Sequence, residues 1–148
     1  MKIKHQQGAS ILEFTIVIPV LLMFILLVSE VGIMFYTMNA LTKTTQDAAR
    51  YMSESKSEFT IRKPIAESLV KYGNVTSTAP PLLPKGDSLI ETTITDTGDG
   101  HVSVVVTYQH DMIMGSALGA LTSLSTGGSV GFGNKFQLSA SSVMRFAQ

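Results

Sequence analysis

The sequence predicts an α+β chain: one long N-terminal transmembrane helix that continues into a small domain of helix plus antiparallel sheet. Three observations carry this expectation. Phe14 to Ser29 is a run of 16 residues without a charge. Apolar residues recur at helical spacing well beyond it, as far as Met52. Val102, Val104, Val106 and Tyr108 then alternate with Ser103, Val105, Thr107 and Gln109, the period of a strand.

The first element is a membrane segment. At a rise of 1.5 Å per residue, about 20 residues cross the roughly 30 Å hydrocarbon core. Val31-Gly-Ile-Met-Phe-Tyr36 carries the apolar character past Glu30, so Ile11 to about Met34 is long enough to span. Lys2, Lys4 and His5 precede the run. Positive charge stays on the cytoplasmic side, which puts residues after Tyr36 on the far side of the membrane. Pro19 sits inside the run, removes one helical hydrogen bond and predicts a kink. Neighbouring helices in a membrane can re-satisfy the freed carbonyl, so the kink is either merely tolerated or used to pack in an assembly.

Met38, Leu41, Thr45, Ala48 and Met52 are spaced 3, 4, 3, 4, one stripe of a helix, with Lys43, Gln46, Asp47 and Arg50 off it. The first helix is therefore expected to run unbroken from about Ser10 to about Ser53, its stripe packed on the chain's own globular part or on another subunit. Ser53-Glu-Ser-Lys-Ser57 reads as a break. Pro64 suits the first turn of a second helix, where its missing N–H is no loss. Ile65, Leu69 and Tyr72 would form that helix's apolar face, and Gly73 its C-terminal cap.

Residues 74–87 read as a loop; Asn74-Val75-Thr76 within it fits a glycosylation sequon, a pattern short enough to occur by chance. Ser88–Thr95 reads as a strand, Asp96-Thr-Gly-Asp-Gly100 as a turn, and the alternating segment from Val102 as the second arm of a hairpin. Phe136, Leu138, Ala140 and Met144 suggest a third strand, facing away from Gln137, Ser139, Ser141 and Arg145. Between the second and third strands, Met112–Leu124 is apolar and Ser125–Asn134 rich in glycine and serine. Met112, Met114, Leu118, Leu121 and Leu124 fit a short helix or an apolar loop. Such a segment is either a lid over the core or an exposed patch for a partner or the membrane surface.

Composition sets the class. Of 148 residues, 45% are hydrophobic and 15% charged, which excludes a disordered polar chain. After the membrane segment about 110 residues remain, enough for a modest single core. Formal net charge is zero, so nothing suggests a nucleic-acid footprint. There is no cysteine, hence no disulfide, thiolate nucleophile or cysteine metal site.

A search for chemistry finds little. His101, His110, Asp99 and Asp111 cluster around the second strand. The two histidines are nine residues apart, which puts them on opposite faces of an ideal strand; solvated strand ends are the better reading than a metal site. Gly127-Gly-Ser-Val-Gly-Phe-Gly133 lacks the Gly-Lys-Ser/Thr ending and the following helix of a phosphate loop, and reads as a flexible loop. No nucleophile elbow appears among the serines. No enzyme, cofactor or metal is expected.

Glu13 is the residue that an ordinary anchor would not place at the start of an apolar helix, because an ionisable group at membrane depth costs free energy. The order of basic leader, Gly8-Ala9 junction and Glu13 resembles that of type IV prepilins. The resemblance implies that Gly8 is the last leader residue and Glu13 the fifth of the mature chain. Cleavage would remove Lys2 and Lys4, leaving 9 basic against 11 acidic residues, a net charge of about −2. It would also free the amine of Ala9 four residues before Glu13, on the same helix face and about 6 Å away along the axis. Either that amine or a neighbouring subunit's would neutralise the carboxylate, making subunit pairing a registration device. The alternative places Glu13 in the headgroup region, paired with nothing. Glu30, near the other end of the span, is either an interfacial carboxylate or a contact with a partner helix.

The fuller pattern is Gln7-Gly8-Ala9-Ser10-Ile11-Leu12-Glu13-Phe14, then Val17-Ile-Pro-Val-Leu-Leu22, Glu30-Val-Gly32 and Asp47-Ala-Ala-Arg50-Tyr51. It resembles the TadE-like family of minor pilins, or pseudopilins, and the end, Gln137–Arg145, is similar to that family's closing strand. Val31 departs slightly from the aromatic residue expected after Glu30. The resemblance implies a pilin-like fold with residues 1–8 as leader, 9–36 as transmembrane helix and 37–148 as a periplasmic α+β domain. It implies a prepilin peptidase cutting after Gly8, and a place in a tight-adherence (Tad) system that builds Flp-type IV pili for surface adherence and biofilm formation. The implied partners are that peptidase, the major Flp-type pilin and a second pseudopilin, inner-membrane Tad platform proteins and membrane lipid.

Other readings remain at this level. A Sec signal peptide fits the basic start and core length, but no A-x-A-like site lies between Val28 and Leu41. An uncleaved anchor could carry a binding or sensor domain unrelated to pili. A membrane-tethered enzyme has no constellation to support it.

Overall fold

A computed structural model describes residues 6–54, 58–76, 79–84, 86–126 and 135–147, with side chains from Ile11 onward except at 86–87, 118, 120–122 and 124–126. Its elements are α1 (Gln6–Ser53), α2 (Phe59–Tyr72), α3 (Gly86–Leu89), β1 (Ile90–Asp96), β2 (His101–Asp111), α4 (Ile113–Thr126) and β3 (Lys135–Arg145). The fold is α+β, a long apolar N-terminal helix followed by a small helix and a three-stranded antiparallel sheet. The chain forms two compact units. One is Met1–Ile33 with Met112–Asn134; the other is Met34–Asp111 with Lys135–Gln148. The 48-residue α1 contributes to both and passes through Pro19 without a break.

In the first unit, α1 is apolar on every side. Large side chains from Ile11 to Val28 are exposed all round the helix, Phe14 by 69% and Phe24 by 64%. A helix that is hydrophobic all round belongs in a core or a membrane, and no part of its most apolar window is buried within the chain. Its hydroxyls are satisfied internally. Thr15 Oγ1 donates to the Ile11 carbonyl at 2.8 Å and Ser29 Oγ to the Ile25 carbonyl at 2.9 Å. That is how such groups avoid unmet hydrogen bonds without water. α4 is the other described element of this unit, and it settles Met112–Leu124 as helix rather than loop.

The second unit holds the core. The C-terminal half of α1 contributes Leu41, Ala48, Ala49 and Met52; α2 adds Ala66 and Val70. Ile90, Ile94, Val102, Val104, Val106, Tyr108, Leu138 and Ala140 line one face of the sheet. Strand order is β1-β2-β3, with Ile94 opposite Val104 and Val104 opposite Ser142. Burial along β2 alternates residue by residue, so His110 is buried on the core side and His101 lies on the other face. Gly98 and Gly100 take positive φ in the β1–β2 turn. The side chains of Leu118, Leu121 and Leu124, on which the expected lid or patch rests, lie outside the described residues.

Several local expectations shift. Met38 is exposed, and Thr37 is buried in its place. The packed stripe is therefore Thr37, Leu41, Thr44, Thr45, Ala48, Ala49 and Met52. Two of its threonines bond back to the Leu41 carbonyl, Thr44 at 3.1 Å and Thr45 at 2.7 Å, so hydroxyls sit in the core at little cost. Pro64 is not in the first turn of α2 but inside the helix. The helix begins five residues earlier because Arg62 organises its start. The Arg62 guanidinium donates to Glu58 at 3.0 Å, to Glu54 at 2.7 Å and to the Tyr51 carbonyl at 3.0 Å, and lies 5.0 Å from the Tyr51 ring centre. The two carboxylates raise its pKa further. Ile65, Leu69 and Tyr72 are only half-buried; the deepest positions of α2 are Ala66 and Val70, one residue round the helix. Small side chains there allow close approach. Gly73 does cap α2, at φ +66 with its N–H donating to the Leu69 carbonyl at 2.9 Å. Residues 86–87 of the expected loop open the short α3 instead, and β1 runs from Ile90 to Asp96.

Two backbone bonds close this unit around the end of α1. Ala147 N–H donates to the Ser53 carbonyl at 2.7 Å, and Phe146 N–H to the Gly100 carbonyl at 2.9 Å. Tyr108 donates its hydroxyl to the Pro84 carbonyl at 3.0 Å, and burial pushes its pKa up. Residues 55–57 of the break after Ser53, and the glycine-rich 127–133, lie outside the described residues.

The rotated stripe makes a direct prediction. Met52→Ala should lower unfolding stability by about 2–5 kcal/mol, the range for a buried Met-to-Ala change. Met38→Ala should change it by no more than about 0.5 kcal/mol, as for a surface position. Denaturation of the full chain in detergent, followed by circular dichroism, reads both. Equal losses would return Met38 to the packed face.

Candidate assembly site on the membrane helix

The candidate residues all lie on α1, and its helical rise spaces them. Gly8 and Ala9 fall in its first turns. Glu13 follows one turn after Ala9 and is exposed, ahead of the uncharged run. Lys2, Lys4 and His5 of the basic leader lie outside the described residues. Pro19 stands two turns further on, inside the helix, with no N–H for the Thr15 carbonyl.

Glu30 behaves differently from Glu13. It is 5% exposed, although its helical neighbours Ser29 and Val31 flank the membrane run. Its carboxylate accepts the Ile113 N–H, at 3.2 Å to Oε1 and 3.1 Å to Oε2. Ile113 is the first residue of α4, so Glu30 takes one of the N–H groups that a helix start leaves unpaired. A carboxylate there also meets the positive end of the helix dipole. One turn into α4, Met114 and Ala117 share an apolar hollow with Pro19, Leu22, Met23 and Leu26 of α1. Sequence reading singled out Glu30 but not this bond, because 83 residues separate the partners. The signal that was available is the uncharged stretch from Met112 to Asn134.

Past the membrane run, Asp47-Ala-Ala-Arg50 brings Ala48 and Ala49 to full burial while Asp47 and Arg50 line an open cleft with Tyr51, Glu54 and Leu69. The alanines serve close packing. Among the described residues no three or more histidine, cysteine, aspartate or glutamate side chains converge as a metal site would need.

Residues 8–50 match the family model described as TadE-like protein. The N-terminal segment is TadE-like. This TadE-like segment opens at Gly8 and takes in Glu13, Pro19, Glu30 and Asp47–Arg50. It corresponds to α1 less its two ends. Comparison with curated proteins and with solved structures gave no match. The TadE-like segment includes one helix long and apolar enough to cross a membrane, which supports a single-pass anchor.

The Glu30 bond predicts a local effect. Glu30→Ala leaves the Ile113 N–H without this acceptor, a loss of about 1–3 kcal/mol. Amide exchange of the full chain in lipid nanodiscs should then speed up across residues 113–117 and stay unchanged in β1 to β3. Glu30→Gln, which keeps an oxygen acceptor, should fall between. Unchanged exchange at 113–117 in both variants would show that α4 does not depend on Glu30.

Proposed function

We propose that this chain is a non-enzymatic minor pilin, or pseudopilin, processed after Gly8 by a prepilin peptidase. It takes part in assembling Flp-type IV pili of a tight-adherence (Tad) system, for surface adherence and biofilm formation. The observation that carries the reading is where the TadE-like match begins. It opens at Gly8, on the leader side of the proposed cut, and holds an exposed Glu13 at the head of a helix that is apolar all round.

The chemistry follows from that order. Before cleavage the leader keeps two lysines on the cytoplasmic side. After cleavage Ala9 carries a new ammonium group within reach of a carboxylate one helical turn away. A helix of this kind leaves the lipid only for an environment equally apolar, and in a bundle of pilins that environment is other helices of the same type. Glu13 then has to meet a cation, because an unpaired buried charge costs about 3–5 kcal/mol. The ammonium of a neighbouring subunit's first residue supplies one, and only one axial offset brings the two together. Glu13 is thus the registration residue, with Pro19 shaping the helix where subunits pack. The C-terminal unit faces the periplasm, and platform proteins of the inner membrane and other pilins are the partners. Assembly is the protein's role, with no catalysis, cofactor or metal.

Two substitutions test this in the host. Gly8→Leu places a branched side chain where the peptidase must approach the backbone, so the uncut precursor should accumulate in membranes. Glu13→Ala should be cut normally yet fail to support piliation, since a loss of about 3–5 kcal/mol shifts an assembly equilibrium by more than about 100-fold. Processed Gly8→Leu protein would defeat the cleavage reading. Normal pili from the Glu13→Ala strain would defeat the registration role and favour an anchored binding domain.

A further inference from the structure

We infer that α4 is a second membrane-embedded helix, entering the bilayer from its outer side against α1, with lipid acyl chains as its other neighbour. The inference rests on reading α1 as the membrane span.

Depth is the first argument. A span that starts at Ile11 and needs about 20 residues ends close to Glu30. Leu22, Met23 and Leu26 then lie between the middle of the hydrocarbon and its outer edge, with Pro19 just short of the middle. Met114 and Ala117 share a hollow with those side chains, so they share their depth. The Glu30 bond fixes the other end, because it holds the first residue of α4 at the outer boundary of the span.

Composition agrees. No charged residue occurs from Met112 to Asn134. Asp111 and Lys135 bound the stretch and face each other across the β2–β3 ladder. The chain therefore leaves one strand, runs uncharged through 23 residues, and re-enters the neighbouring strand. With 14 residues, α4 is about 21 Å long, too short to cross a 30 Å core.

The surface chemistry fits lipid. Gly115 is buried and Gly119 half-buried, a four-residue spacing of small residues that lets membrane helices approach closely. Ile113 points outward, half exposed. Ser116 is also exposed, but its hydroxyl donates to the Ile113 carbonyl at 2.7 Å, as Thr15 and Ser29 do on α1. Glu30 completes the arrangement. The start of an embedded helix cannot find water for its free N–H groups, and an unmet group in hydrocarbon costs several kcal/mol. A carboxylate at the boundary supplies the acceptor.

Site-directed spin labelling tests this on the full chain, which has no native cysteine. Leu21→Cys, Ser116→Cys, Ser123→Cys and Asp47→Cys are labelled singly and reconstituted into vesicles of phosphatidylethanolamine and phosphatidylglycerol. Collision rates with oxygen, which concentrates in hydrocarbon, are compared with those of a water-soluble nickel chelate. Labels at Leu21, Ser116 and Ser123 should favour oxygen and the label at Asp47 the chelate. Oxygen preference at Leu21 with chelate preference at Ser116 and Ser123 would overturn the embedded helix while leaving the span intact. Protection of Ser116 and Ser123 from both reagents would mean that protein, a second copy included, covers α4 in place of lipid. Chelate preference at Leu21 would overturn the span itself, and the inference with it.

Discussion

Everything in this molecule depends on one unmet demand: the described residues leave the surface of α1 between Ile11 and Val28 largely uncovered. Fifteen large apolar side chains stand there, each roughly half exposed. At about 1.5–3 kcal/mol for fully burying one such side chain, they represent on the order of 10–20 kcal/mol. That equals or exceeds the whole folding stability of an ordinary domain, about 5–15 kcal/mol. Water cannot be the solvent for this surface. Lipid satisfies it, and so does a bundle of like helices. A protein that moves from membrane to filament exchanges one for the other at little net cost, and the exchange is then decided by the few polar groups involved.

Those polar groups divide the work. Glu13 stands exposed at the head of the apolar surface, available to a partner. Glu30, seventeen residues on, is buried and joined to the first residue of α4. The same side-chain type thus serves two ends: one carboxylate faces outward and one holds the chain's own fold. In the second unit the continuation of α1 is packed through small residues, Ala48 and Ala49, and its end is closed by the Arg62 guanidinium at the Tyr51 carbonyl and the Ala147 N–H at the Ser53 carbonyl. One continuous helix therefore serves as an apolar rod in its first half and as a core element in its second.

Much of this was legible in the residues. The charge-free run, the 3-4 spacing beyond it and the strict alternation from Val102 to Tyr108 report single-element periodicities, and helix, hairpin and third strand appear where they predict. The Gly8–Glu13 order, six consecutive positions, carried the likeness to the TadE-like family that the match over residues 8–50 shows. What did not show is what depends on distant partners. Met38 and Thr37 differ by one step round the helix, and only what packs beside them decides which is buried. Pro64 looked like a helix start because local rules favour it there. Arg62, bonded to Glu54, Glu58 and the Tyr51 carbonyl, moves the start to Phe59. The capping of α4 by Glu30 joins residues 83 apart, beyond any local pattern.

The central claim is that α1 is the helix of a processed prepilin, kept whole and freed of its leader. N-terminal sequencing of the protein purified from its host's membranes tests it most directly. The account requires a start at Ala9. A start at Met1 would make the chain a plain signal anchor, and a start beyond Ser29 would mean that the apolar run is discarded and the account is wrong.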